Sequence, residues 1–172
     1  MNFITLTLNK LASERQIKRL IMSIEALTRN SSIDFSPYFA TSRIISVMIM
    51  IIAFDKKPTI ISYNYHLRAY AAHVLSIVLA KWCSRDEQRT VVIKKMGKIL
   101  NDLKLSAKVH YGAIVLLIAL GPEALNASFW DILPGYLIHL EEVKKSSEQI
   151  SRKDVGMLEE VILVSKNHEI FW

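Results

Sequence analysis

The feature that most constrains this chain is the stretch Val109 to Pro122, VHYGAIVLLIALGP, which carries no Asp, Glu, Lys or Arg from end to end. A helix this apolar offers water no polar face, so it cannot lie exposed as an amphipathic surface element. Gly121 and Pro122 close it, because glycine accepts the left-handed conformation that ends a helix and proline cannot continue one. The pattern predicts a helix from near Ser106 to Leu120 that is covered on two sides. The rest of the chain must then supply its covering helices.

Glycine and proline are scarce, at 5 and 4 copies in 172 residues, and no alternating β-branched run is bounded by hairpin turns. The expectation is therefore an all-α chain of about eight helices. The first runs from Ser13 to about Arg29 with the stripe Ile17, Leu20, Ile21, Ile24 and Leu27. A second runs from Pro37 to about Phe54, where IISVMIMIIAF is apolar all round and implies cover on more than one side. Asp55 to Asn64 reads as the longest connection. A third helix from Tyr65 to Trp82 places Leu67, Ala71, Val74, Leu75, Val78 and Trp82 on one broad face. A fourth, from Asp86 to about Leu103, sets Val92, Met96, Ile99 and Leu103 against Lys94, Lys95 and Lys98. After the opening stretch come Pro122 to about Leu133, Gly135 to about Ile150, and Lys153 to about Val164. The implied organisation is an extension over 1–12, one domain over 13–166 and a tail over 167–172.

Composition narrows the function classes. No uncharged run reaches the roughly 18 to 20 apolar residues of a bilayer crossing, so no membrane association is expected. The start, MNFITLTLNKLASER, lacks the pattern of a secretory signal. The lone Cys83 fits a reducing compartment and a packing role. Residues 1–108 hold 17 Lys and Arg against 7 Asp and Glu, a balance of +10, whereas residues 109–172 hold 5 against 9, a balance of −4. Such polarity suits docking onto large partners or end-to-end self-association. The basic group Arg85, Arg89, Lys94, Lys95 and Lys98, continued by Lys104, is a candidate partner-binding face. It serves an acidic protein segment or nonspecific, salt-sensitive DNA contact equally well.

A period changes the reading of the whole chain. At an offset of 41, Tyr70, Ala72, Val74, Leu75 and Leu79 map onto Tyr111, Ala113, Val115, Leu116 and Leu120, with Ala71 opposite Gly112. Small residues at Ala71, Ala72, Gly112 and Ala113 let helices approach closely, which is the logic of a HEAT-like α-solenoid of stacked antiparallel helical hairpins. The blocks LTRNSSIDFSPYF, HLRAYAAHVLSIV, KVHYGAIVLLIALGPEAL and ILPGYL resemble, in order and spacing over roughly residues 20 to 140, the C-terminal HEAT-repeat domain of transcription initiation factor TFIID subunit 6 and its paralogue in SAGA-type coactivators. His110, Tyr111, Gly112, Ala113, Leu120, Gly121 and Pro122 carry the most specific part; Leu67, Arg68, Ala71 and Ala72 match a second block. Where the family has an acidic residue after the arginine, Ala69 stands here, so no ion pair is expected at that turn. The resemblance implies a nuclear, non-enzymatic scaffold without cofactors, whose partners are other subunits of a TFIID or SAGA-type assembly. It also implies a preceding histone fold, which the residues ahead of the first helix do not hold, so a domain fragment, a truncated product or a divergent paralogue is expected.

The chemistry-bearing residues point the same way. His110 and Tyr111 combine a group that titrates near neutrality with a proton donor, yet no nucleophile or second metal ligand follows at a useful spacing. A structural pair at a helix start is the expectation. His66 and His73 lie seven apart, two turns rather than the single turn of helical metal ligands. Glu141 with Glu142 and Glu159 with Glu160 read as solvated edges. With no phosphate-binding glycine loop either, neither a catalytic nor a metal residue is assigned, and a small helical enzyme is the weakest reading.

Overall fold

Backbone groups in these apolar segments must be paired internally, and helices do this with the least dependence on neighbours. The computed structural model describes residues 14–33, 38–53, 65–83, 86–146 and 149–167. Among them are eight helices and no strand: α1 Glu14–Arg29, α2 Tyr38–Ala53, α3 Tyr65–Trp82, α4 Asp86–Asn101, α5 Ala107–Leu120, α6 Pro122–Ser128, α7 Leu133–Ser146 and α8 Gln149–Asn167. Ser13, Pro37, the connection 55–64, Arg85 and the closing residues 168–172 lie outside the described residues. No described helix is long and apolar enough to cross a membrane.

The central position expected for VHYGAIVLLIALGP is the one α5 occupies. It packs against α2, α3, α4, α6 and α8, and Val109 through Leu117 are buried without interruption. The helices α1, α3, α5 and α8 form a row in which each touches the next, with α2 laid on α3 and α5, and α4 on α5 and α6. The two members of the 41-residue offset, α3 and α5, are thus side by side. Ala71, Ala72 and Ala113 are fully buried along these two helices. The second helix is covered widely as expected, with Ile45, Val47, Met48, Ile49, Ile51 and Ile52 all in the core.

Several details differ from the sequence reading. In α1 the buried stripe is Ile17, Ile21, Ile24 and Thr28, while Leu27 is 37% exposed. Spacings of four, three and four lead from Ile17 to Thr28, and the Thr28 hydroxyl is satisfied within its own helix by Ile24 O at 2.7 Å. In α4 the core positions are Val92, Met96 and Leu100; the helix stops at Asn101, and Leu103 is left exposed in the following turn. α6 ends at Ser128, where Phe129 turns fully into the core. α7 begins at Leu133, so Pro134 sits in the first turn where its missing donor costs little. It ends at Ser146, after Lys144 and Lys145 in its last turn, and α8 starts at Gln149 rather than Lys153.

Candidate functional site

A helix ends with four carbonyls that have no partner in the helix, at the negative end of its dipole. In α2 that end is apolar and buried, so no water can satisfy it. Arg68, from α3 and itself 0% exposed, donates from Nη1 to Ile52 O at 2.5 Å. Against the same carbonyl lies Gly112 of α5, where an added Cβ would stand 1.9 Å from Ile52 O. Arg68 and Gly112, two of the residues singled out by sequence, thus meet at one backbone oxygen. Their close approach is to α2, not to each other's helix.

Beside them Tyr111 packs edge-on to Tyr65, with ring centroids 4.7 Å apart. The Tyr65 hydroxyl donates to Asp154 Oδ1 of α8, and Lys108 Nζ stands 3.5 Å from Asp154 Oδ2. Burial first, then the Asp154 hydrogen bond and charge, push the Tyr65 phenol well above its ordinary range. This cluster fastens α8 to α3 and α5.

His110 is 2% exposed and bridges two other places. Its Nε2 lies 3.1 Å from Asp102 O, and its Nδ1 lies 2.8 Å from the Tyr136 hydroxyl. A carbonyl can only accept, so Nε2 carries the proton, Nδ1 accepts, and Tyr136 donates. Burial lowers the His110 imidazole below its usual range, which keeps it neutral, and burial raises the Tyr136 phenol. A neutral, doubly bonded histidine is a strut between the end of α4 and the start of α7.

The same device recurs at other helix ends. Lys81 Nζ donates to Thr28 O at 2.5 Å and Asn30 O at 2.7 Å, capping α1. Arg89 Nη2 donates to Leu120 O at 2.7 Å, capping α5, and approaches Glu123 at 3.8 Å. At that end Gly121 takes φ +96°, and its N–H bonds Ile118 O and Leu117 O before Pro122 opens α6. The ends of α1, α2, α4 and α5 are therefore met by Lys81, Arg68, His110 and Arg89, each from another helix.

The structure divides the basic group found by sequence. Arg89 is held at Leu120, whereas Lys94, Lys95 and Lys98 are exposed on the outer side of α4, with Lys104 exposed in the turn beyond. At the interface of α1 and α3, the Tyr70 hydroxyl donates to Glu25, which Arg29 also pairs at 2.8 Å. The Tyr70 bond is the main reason the Glu25 carboxyl falls below its usual range, and burial is the main reason the Tyr70 phenol is pushed up to about 12. His66 is exposed and His73 half-buried. Among the described residues no group of three His, Cys, Asp or Glu side chains is arranged to hold a metal ion. Cys83 is half-buried and its thiol, raised by burial, donates to Gln88 Oε1 at 2.8 Å. Glu159 pairs with Lys144 at 2.8 Å, while Glu141, Glu142 and Glu160 face solvent. Sequence reasoning gave no role to Lys81, Asp102, Tyr136 or Asp154. Lys81 had a local signal, a cation in the last turn of its own helix, and Tyr136 stands in the block ILPGYL.

A model of the TAF6 C-terminal HEAT repeat domain matches residues 1–134. The chain belongs to this family. Neither a curated protein nor a solved structure matches it. The TAF6 C-terminal match takes in α1 through α6 and stops as α7 begins, so α8, with Val155 and Leu158 fully buried and α5 beside it, is built onto the matched region. A HEAT-repeat domain of a transcription-factor subunit is thus the coarse description of the chain.

Proposed function

We propose that the chain acts as a non-enzymatic scaffold in the nucleus, holding other subunits of a TFIID or SAGA-type assembly in RNA polymerase II initiation. One observation carries this reading: Arg68, His110, Tyr111 and Gly112, the most chemically suggestive residues of the family-like blocks, are engaged in fixing helix ends and helix spacing. Their arrangement supports rigidity. A row of helices that cannot shift relative to one another presents the same surface to each partner, which is how stacked repeats bind. The domain boundaries at 13 and 166 belong to the same proposal.

Affinity purification of the tagged chain from nuclei tests it. Recovery of TFIID or SAGA subunits is expected; a preparation lacking both sets would overturn the reading.

A further inference from the structure

The outer face of α4 is built differently from the basic positions that cap helix ends or pair with carboxylates. Arg68, Lys81, Arg89, Lys108 and Lys144 each meet a carbonyl or carboxylate. Lys94, Lys95 and Lys98 make no ion pair or hydrogen bond with the described residues. They share one helix face with Val91, at spacings of three, four and seven from it, and Val91 is 64% exposed. The turn after α4 adds two more exposed aliphatics, Leu103 and Leu105, on either side of exposed Lys104. An unpaired cationic stripe with an apolar residue in line asks for a partner carrying both features.

We infer that this face docks an acidic amphipathic helix of a partner protein, one whose apolar side chain covers Val91 and whose carboxylates, a turn further along, reach Lys94, Lys95 and Lys98. The inference rests on the scaffold reading and names the chemistry of one of its partners. Complementary charge would set encounter rate and orientation, and the aliphatic contact would add desolvation that charge alone lacks. Nucleic acid fits less well. The lysines span only about 6 Å of helix axis, and so reach few phosphates. Val91, Leu103 and Leu105 would also have no counterpart on a phosphate backbone.

The probe is a fluorescein-labelled helical peptide with leucine at one position and glutamates three, four and seven residues later, titrated with the whole chain and followed by anisotropy. Raising the salt from about 50 to about 300 mM is expected to weaken binding by about tenfold. The triple variant Lys94→Glu, Lys95→Glu, Lys98→Glu should weaken it by about tenfold or more, and Val91→Ser by about threefold. All four sites are exposed, and an unchanged circular dichroism melt verifies that each variant is folded. Equal peptide affinity in wild type and triple variant overturns the inference. So does a 20-base-pair duplex that binds more tightly than the peptide and loses binding in the same variant. Self-association that disappears in the triple variant would assign the face to a second copy and also overturn it. Recovery of transcription-assembly subunits by the unaltered chain is read separately, so a failure of the scaffold and a failure of this face give different results.

Discussion

Substituting alanine for Gly112 is the sharpest perturbation the packing allows. The new Cβ would meet Ile52 O at 1.9 Å, its carbonyl carbon at 2.8 Å and Cγ2 at 3.2 Å. The nearest two are backbone atoms of a helix end that Arg68 also holds, so no side chain can swing away to make room. An ordinary contact requires α2 and α5 to separate by more than about 1 Å, and overpacking of this kind costs roughly 1–3 kcal/mol. The separation also draws Ile52 O away from Arg68, and weakening a buried charged hydrogen bond adds roughly 1.5–3 kcal/mol. Alanine returns about 1 kcal/mol through helix propensity. The net expectation is a loss of about 2–4 kcal/mol, or a Tm lower by about 5–15 °C for a chain of this size. Gly156 provides the internal comparison: it lies inside α8 with nothing within 4 Å of the place a methyl group would take, so Gly156→Ala should gain about 0.5–1 kcal/mol. Urea unfolding followed by circular dichroism measures both. A Gly112→Ala protein as stable as wild type, or shifted in the same direction as Gly156→Ala, refutes the close-approach argument.

Arg68→Met should cost about 2–4 kcal/mol, because the buried α2 end loses its donor while most of the volume is kept; a change under about 0.5 kcal/mol in the urea midpoint analysis would contradict the capping role. Tyr136→Phe removes the hydroxyl that donates to His110 Nδ1 and should destabilise by about 1–3 kcal/mol, while the Asp102 carbonyl keeps the proton on Nε2; an unchanged urea midpoint would contradict the strut. Burial holds His110 and His73 below the usual imidazole range, so the unfolded chain takes up protons that the folded chain refuses. Their contribution is complete above about pH 7 and declines as the pH falls through about 6.5 toward the folded-state values. The urea midpoint should therefore drop between pH 7 and pH 5, and a midpoint that is flat or rising over that interval would reject the assignment.

What was legible in the sequence follows from what residue types can encode. The two-sided burial of α2 and α5 was visible because neither IISVMIMIIAF nor VHYGAIVLLIALGP contains a polar stripe. The stop at Gly121 was visible because a positive φ selects glycine, and the proximity of α3 and α5 was visible through the 41-residue offset. Thr28 is hidden from a hydropathy reading because its polarity is cancelled inside its own helix, and Leu27, though apolar, stands to one side of the Ile17, Ile21, Ile24 and Thr28 register. The site residues divide on similar lines. Gly112 and His110 stood out, but their partners are backbone oxygens of Ile52 and Asp102, and a carbonyl leaves no mark on residue identity. Asp154 pairs with Tyr65 across 89 positions, a separation over which no local pattern operates.

The charge polarity takes on a different meaning once these carbonyls are counted. Lys and Arg exceed Asp and Glu by ten in residues 1–108, which reads as an excess seeking acidic partners. Each helix end carries roughly half a negative charge, however, and three of those cations, Arg68, Lys81 and Arg89, are directed at such ends within the fold. Part of the basic excess therefore balances peptide dipoles that never enter a tally of side chains. The lysines of α4 are different, since no helix end or carboxylate among the described residues meets them. A cation that caps a helix from a neighbouring one fixes the angle between the two, whereas an exposed lysine fixes nothing and stays available. The basic half thus combines two separable roles, an internal one that makes the row of helices rigid and an external one that includes about two turns of α4. Charge reversal should separate them: at Lys94, Lys95 and Lys98 it leaves the melting temperature in place, and at Arg68 it does not.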